Sequence, residues 1–129
     1  MHARSRQIRA LLVVAPEGGD ADDLFRELRG RPDLQVLSAA TAAAAAERLR
    51  EAAVCLLIAS PDVATSAVSE LLASKERVRP ELPVLVIRNR QAEEPEGWIG
   101  RGVGVLRCPL VAGALRRSVD VVLGLDLHG

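Results

Sequence analysis

Five short, mainly apolar runs recur along the chain, separated by stretches of helical periodicity and polar loops. The first, Ala10-Leu11-Leu12-Val13-Val14, contains no polar side chain and stops at Ala15-Pro16-Glu17. A short apolar run closed by a turn predicts a central strand of an α/β sheet, covered on both faces. Further strands are predicted over Leu34–Ala39, Val54–Ile58, Pro83–Ile87 and Val103–Leu106. Between them, Ala21, Leu24, Phe25 and Leu28 have the i, i+3, i+4, i+7 spacing of one helix face. Asp20 is placed to cap that helix, and Gly30 and Pro32 to end it. Thr41 caps an alanine-rich second helix that runs to Ala53, with Leu49 as its largest core residue. Ser60-Pro61-Asp62 closes the third strand, and Asp62 is placed to cap a third helix with Val68, Leu71 and Leu72 inward. The loop from Arg88 to Gly102 has room for a short fourth helix around Pro95–Ile99. A last helix is predicted over Leu110–Leu123, with Val111, Leu115, Val119 and Val122 inward.

Alternation of strands and helices with short connections implies a parallel sheet with helices on both faces. At 129 residues this predicts one domain, 1–129, with the flavodoxin-like strand order 2-1-3-4-5. Composition sharpens that picture: 49% of residues are hydrophobic but only 2% aromatic, so the core has to be aliphatic. Seventeen basic residues balance seventeen acidic ones, which argues against a dedicated nucleic-acid binder. No apolar run approaches the ~18 residues of a membrane span. Met1 to Arg6 leads into a strand without the apolar segment of a signal peptide, so a cytoplasmic chain is expected. Cys55 and Cys108 are then expected as free thiols. Strand four would lie between theirs, two spacings of about 4.8 Å, beyond the ~7 Å Cα separation that a bridge tolerates.

Open α/β sheets place their chemistry at the carboxyl ends of the strands. After the first strand those residues are Ala15, Pro16 and Glu17, and the first two offer no acid, base or metal ligand. Gly18-Gly19 before a helix could cradle a phosphate, but it lacks the flanking glycines and lysine of such loops. Asp20, Asp22 and Asp23 next to it suit the positive end of a helix better than a metal site. Cys55, mid-strand among leucines, reads as a small core residue, whereas Cys108 sits at the reactive end of the sheet beside Arg107. His2 and His128 are both terminal, so the body of the fold holds no Ser-His or Cys-His pair. Trp98 either plugs the sheet edge or anchors a partner. Arg116-Arg117 reads as a solvated face of the last helix.

The order and spacing of the elements, with Leu11-Leu12-Val13-Val14, Pro83-Val84-Leu85-Val86-Ile87 and Val105-Leu106-Arg107-Cys108-Pro109-Leu110, resemble a response-regulator receiver domain over essentially the whole chain. The resemblance implies an acidic pair after strand one, where Ala15 and Pro16 stand, followed by a retained acid, Glu17. It implies a phospho-accepting aspartate at the end of strand three, where Ile58 or Ala59 stands. The switch hydroxyl matches Arg88, the lysine before the last proline matches Cys108, and the aromatic of strand five matches Val105. Mg²⁺ requires hard oxygen ligands, and phosphoryl transfer requires a nucleophile and cations for the developing charge. The chain therefore resembles a pseudo-receiver, with no cofactor, no metal and no catalytic residue.

The function expected is a non-catalytic signalling domain acting by protein–protein contact. In the receiver family the output face combines the fourth helix, strand five and the last helix, which implies Trp98, Val105, Arg107, Arg116, Arg117 and Asp120 here. Its expected partner is a signalling protein or an effector domain of its own, with a homodimer through the same face as a further option. A second reading is an N-terminal dimerisation or ligand-sensing domain of a longer transcriptional regulator. A third is a flavodoxin-type cofactor binder, which the lack of an aromatic, hydroxyl-rich first loop disfavours. Arg88 is expected either to pair with Glu17 or Asp62, or to reach solvent alongside Arg90 and Arg107.

Overall fold

The computed structural model describes residues 8–16, 21–51, 53–90, 103–108, 110 and 113–124. Elements are labelled here in chain order among those residues. The strands are β1 (Arg9–Val14), β2 (Leu34–Ala39), β3 (Val54–Ala59), β4 (Val84–Arg88) and β5 (Val103–Arg107). The helices are α1 (Ala21–Arg29), α2 (Ala42–Glu51), α3 (Thr65–Val78) and α4 (Ala114–Leu123). All neighbouring strands run parallel, in the order β2-β1-β3-β4-β5, as predicted.

Alternation along the three inner strands divides the aliphatic side chains between two cores. Leu12, Val14, Leu57, Ala59, Val84 and Val86 face α2 and α3, where Ala45, Leu49, Val68, Leu71 and Leu72 meet them. Leu11, Val13, Leu56, Ile58, Leu85 and Ile87 face α1 and α4, where Phe25, Leu28, Leu115 and Val119 meet them. Phe25 is completely buried and is the largest side chain in its core. Thr41 caps α2 as its position suggested, accepting a 3.1 Å hydrogen bond from the Ala44 N–H at Oγ1.

Arginines and a lysine fasten the amino-terminal end of the sheet. Lys75 is 1% exposed, and its Nζ donates to the Pro80 carbonyl at 2.7 Å and to Glu76 at 3.2 Å. Arg79 Nη2 donates to the Val54 carbonyl at 3.0 Å. Arg31 grips both carboxylate oxygens of Asp33, at 3.0 and 2.8 Å, and reaches Asp120 of α4 at 2.7 Å. The hydrogen bond that Arg31 donates to Asp33 is the largest influence raising the Arg31 pKa, and Asp120 adds to it against desolvation, so this guanidinium stays charged. Arg9 Nη1 donates to the Leu123 carbonyl at 3.0 Å, a second tie on the last turn of α4.

Four sequence expectations are corrected. Asp62 does not cap α3: the N-cap is Ala64, without a side-chain bond. Residues 60–63 instead close a turn, with the Val63 N–H donating to the Ser60 carbonyl at 3.1 Å, and Val63 enters the core, which delays the helix to Thr65. The last helix starts at Ala114 rather than Leu110, because Gly113 takes the left-handed conformation, φ 81°. Val122 is 37% exposed, since the buried stripe of α4 runs through Leu115, Val119 and Leu123. Cys55 is half-buried rather than part of either core. The expectations for Glu17, Gly18, Gly19, Asp20, Trp98, Pro109, Val111, the two histidines and a helix around 95–99 lie outside the described residues, as do the side chains of Ala21, Asp22, Asp23 and Leu24.

Phe25→Ala should cost about 3–5 kcal/mol of unfolding free energy in urea, because no aromatic neighbour can fill the cavity. Thr41→Ala, at an exposed cap, should cost only about 1 kcal/mol. A cost below 1 kcal/mol for Phe25→Ala would contradict the packing described.

Candidate functional site

The carboxyl ends of β1, β3, β4 and β5 align along one edge of the sheet. Val14 is in register with Ala59, and Ala59 with Val86. β3 therefore ends at Ala59, which lies on the α2–α3 side, while Ile58 is completely buried on the opposite side. Ala15 continues the β1 line, its N–H donating to the Ala39 carbonyl at 3.0 Å, and the Ser60 N–H donates to the Val14 carbonyl at 3.0 Å. Arg88 is in register with Arg107, and its carbonyl accepts a 2.9 Å bond from the Cys108 N–H. Ala15, Pro16, Ala59, Ser60, Arg88 and Cys108 thus form a row across the edge.

The side chains in that row are small, apolar or cationic. Arg88 follows Val84 and Val86 onto the α2–α3 side and is 6% exposed. Its Nη2 donates to Thr65 Oγ1, in the first turn of α3, at 2.7 Å. The expectation that Arg88 reaches solvent is therefore corrected: strand alternation aims it inward, under the start of α3. Arg90 is exposed, and Arg107 is half-buried with its Nη1 on the Asn89 carbonyl at 3.1 Å. Among the described residues, Ser60 Oγ is buried and has no hydrogen-bond partner. No group of three His, Cys, Asp or Glu side chains that could hold a metal occurs among them either. Burial pushes the Cys108 thiol pKa up, and the nearby Asp62 carboxylate pushes it further. That opposes the reactivity which a neighbouring arginine suggested. Both cysteines are free thiols.

The expected interaction-face residues separate across α4. Val105 and Arg117 border a groove of about 510 Å³ between β5 and α4, with Leu85, Gly104, Leu106, Val121 and Val122. Its floor is open because Gly104 has no side chain; a Cβ there would stand 3.0 Å from Leu85 Cδ2. Arg116 and Asp120 lie elsewhere, on a polar hollow with Glu27, Arg31 and Gly113. Sequence reasoning missed Thr65 and Arg31. The only signal for Thr65 was a hydroxyl at a helix start, 23 residues from the arginine it meets.

No protein-family model matches the sequence, and no curated protein matches it significantly. Solved structures do match the fold. A signal receiver domain from Vibrio parahaemolyticus superposes with a TM-score of 0.76 at 16% identity, covering 91% of each chain. The receiver domain of the hybrid histidine kinase CckA gives 0.68 at 25% identity, covering 88% of this chain and 98% of that one. The lysine decarboxylase LdcF of Francisella novicida gives 0.72 at 12% identity, over 92% of this chain but only 17% of its own length. The fold is the flavodoxin-like receiver fold, and its structural neighbours include response-regulator receiver domains. Among the described residues no helix is long and apolar enough to cross a membrane.

A raised thiol pKa leaves less thiolate at a given pH. At pH 8, folded Cys108 should therefore alkylate with iodoacetamide more slowly than it does in the unfolded chain, the difference shrinking as pH rises through the folded pKa. Asp62→Asn should quicken the reaction. Mass spectrometry of the alkylated peptide reads both, and equal rates in folded and unfolded protein would contradict the environment described.

Proposed function

We propose that this chain is a signalling domain of the receiver type that works without aspartyl phosphorylation, as a pseudo-receiver, by contact with a protein partner. The observation that carries this reading is the buried Arg88 at the end of β4, on the same side of the sheet as Ala59. In the receiver family that position holds a small hydroxyl which responds to a phosphoryl group. Ala15 and Pro16, and Ile58 or Ala59, stand where the resemblance places magnesium ligands and the acceptor aspartate, and none has a side chain that can bind a hard cation or accept phosphate. Arg88 supplies a fixed positive charge instead, already engaged with α3. On this reading the domain is cytoplasmic and is not an enzyme. Its partner is a signalling protein or an effector domain of its own. A homodimer is favoured by one observation, the apolar groove beside β5 with Val121 63% exposed on its rim.

Treatment with acetyl phosphate and Mg²⁺ should leave the intact mass unchanged. A Mg²⁺-dependent phosphoryl adduct on an aspartate would overturn the pseudo-receiver reading. Arg88→Met and Thr65→Val, singly and together, should show a coupling of about 1.5–3 kcal/mol in urea unfolding, the range for a hydrogen bond to a charged group. A coupling near zero would remove the claim that Arg88 fastens β4 to α3.

A further inference from the structure

The contact between Thr65 and Arg88 pairs an exposed residue with a buried one. Thr65 is exposed at the first position of α3, and its Oγ1 accepts the 2.7 Å bond from Arg88, which is 6% exposed. An exposed residue is thus joined through its hydroxyl to a buried guanidinium, in a partly buried contact. The start of α3 is otherwise poor in negative charge: Ala64 provides no side-chain cap, and the first turn has no acidic residue. The first N–H groups of a helix lack intrahelical partners and carry its positive pole. A phosphoryl group on such a turn, opposite an arginine, gains charge-assisted hydrogen bonds from both.

We propose that Thr65 is a phosphoacceptor for a serine/threonine protein kinase, with Arg88 holding the phosphoryl group. This deepens the function proposed above, and rests on it for its role in signalling, because it moves regulation from a missing aspartate to a hydroxyl of the next helix. In the reaction Thr65 Oγ1 attacks the γ-phosphorus of a nucleoside triphosphate bound to the kinase. The new P–Oγ1 bond forms as the bond to the diphosphate breaks. The diphosphate leaves, and the hydroxyl proton passes to the base of the kinase. The product replaces a neutral acceptor by a dianion against the same guanidinium, so the link between β4 and α3 becomes ionic. Ser66 is equally exposed in the same turn, but the hydroxyl seated on Arg88 is that of Thr65. Among the described residues, Asp62 in the preceding turn is a carboxylate that opposes the added charge, and its exposure lets solvent screen it.

The test uses the whole chain with phosphoserine encoded at position 65, read by ³¹P NMR titration. The phosphate should titrate below the ~6 of an exposed phosphomonoester. Arg88→Met should return it toward that value, and Arg88→Lys, which keeps a cation and guards against misfolding of the first variant, should not return it fully. Phosphoserine encoded at 66 should stay near the exposed value. A residue-65 phosphate that titrates like the residue-66 control, whatever stands at 88, overturns the proposal. A parallel incubation with a broad-specificity serine/threonine kinase and ATP–Mg²⁺ should add one phosphoryl group, mapped to Thr65, lost in Thr65→Val and kept in Ser66→Ala. Labelling elsewhere with Thr65 unmodified also overturns it. An acetyl phosphate control separates the two ideas, since an aspartyl adduct there would sink the pseudo-receiver reading while leaving the ³¹P result to decide on Thr65.

Discussion

Strand alternation in β1, β3 and β4 is the constraint from which the rest of this domain follows. Each of these strands is covered on both faces, so most side chains along it, Arg9, Ala10 and Cys55 apart, are committed to one side or the other of the sheet. That commitment does not stop where the apolar run stops. Val84 and Val86 pack toward α3, and the same two-residue period carries Arg88 to that side at the carboxyl edge. Taking a guanidinium out of water costs several kcal/mol unless acceptors meet it. Thr65 is one such acceptor, so the start of α3 and the end of β4 are joined by the geometry of the sheet rather than by the local sequence of either.

The scarcity of aromatic side chains has a related effect. With Phe25 the only large ring in the two described cores, the helices are held by leucine, valine and alanine, and Ala45 of α2 is completely buried. α4 buries Leu115 and Val119 in this way and is tied besides through Arg31 to Asp120 and Arg9 to the Leu123 carbonyl. Both ties hold the side and end of α4 next to α1 and the start of the sheet. The other side, facing β5, keeps Val121 and the open floor at Gly104. One helix therefore presents two unlike surfaces, a polar hollow and an apolar groove, and residues adjacent in sequence, Arg116 and Arg117, fall on different ones.

Much of this was legible in the sequence, because it depends on pattern. Apolar runs placed all five strands within about two residues, as strand periodicity allows, and the βα alternation gave the observed strand order. Thr41 as a cap is a local hydrogen bond and was readable as such. Two of the misses, at Asp62 and Arg88, share a physical cause, namely long-range packing that outweighs a local preference. Asp62 is a good capping residue, but Val63 drawn into the core moves the helix start beyond its reach. The late start of the last helix is local instead: it was expected from Leu110, but Gly113 at positive φ puts its start at Ala114. For Arg88 the sequence left open a pair with Glu17 or Asp62 or a reach to solvent; in the fold it is buried, and one group it meets is Thr65, 23 residues away.

The edge of the sheet can also be judged as an electrostatic whole rather than residue by residue. A divalent-cation site gathers several oxygen anions, and each lowers the cost of the next charge brought in. On the reading proposed above, alanine and proline at two such positions leave no side-chain ligand there. Placing an arginine on the same edge goes further, because at an effective dielectric constant of 20 two like unit charges 4 Å apart repel by about 4 kcal/mol. A buried guanidinium therefore disfavours a divalent cation brought to the same edge. The Arg88 guanidinium is already desolvated there and bonded to a hydroxyl among its contacts. On the reading proposed above, an arginine at the position of the switch hydroxyl thus sets this edge against a bound cation, and does more than remove a hydroxyl.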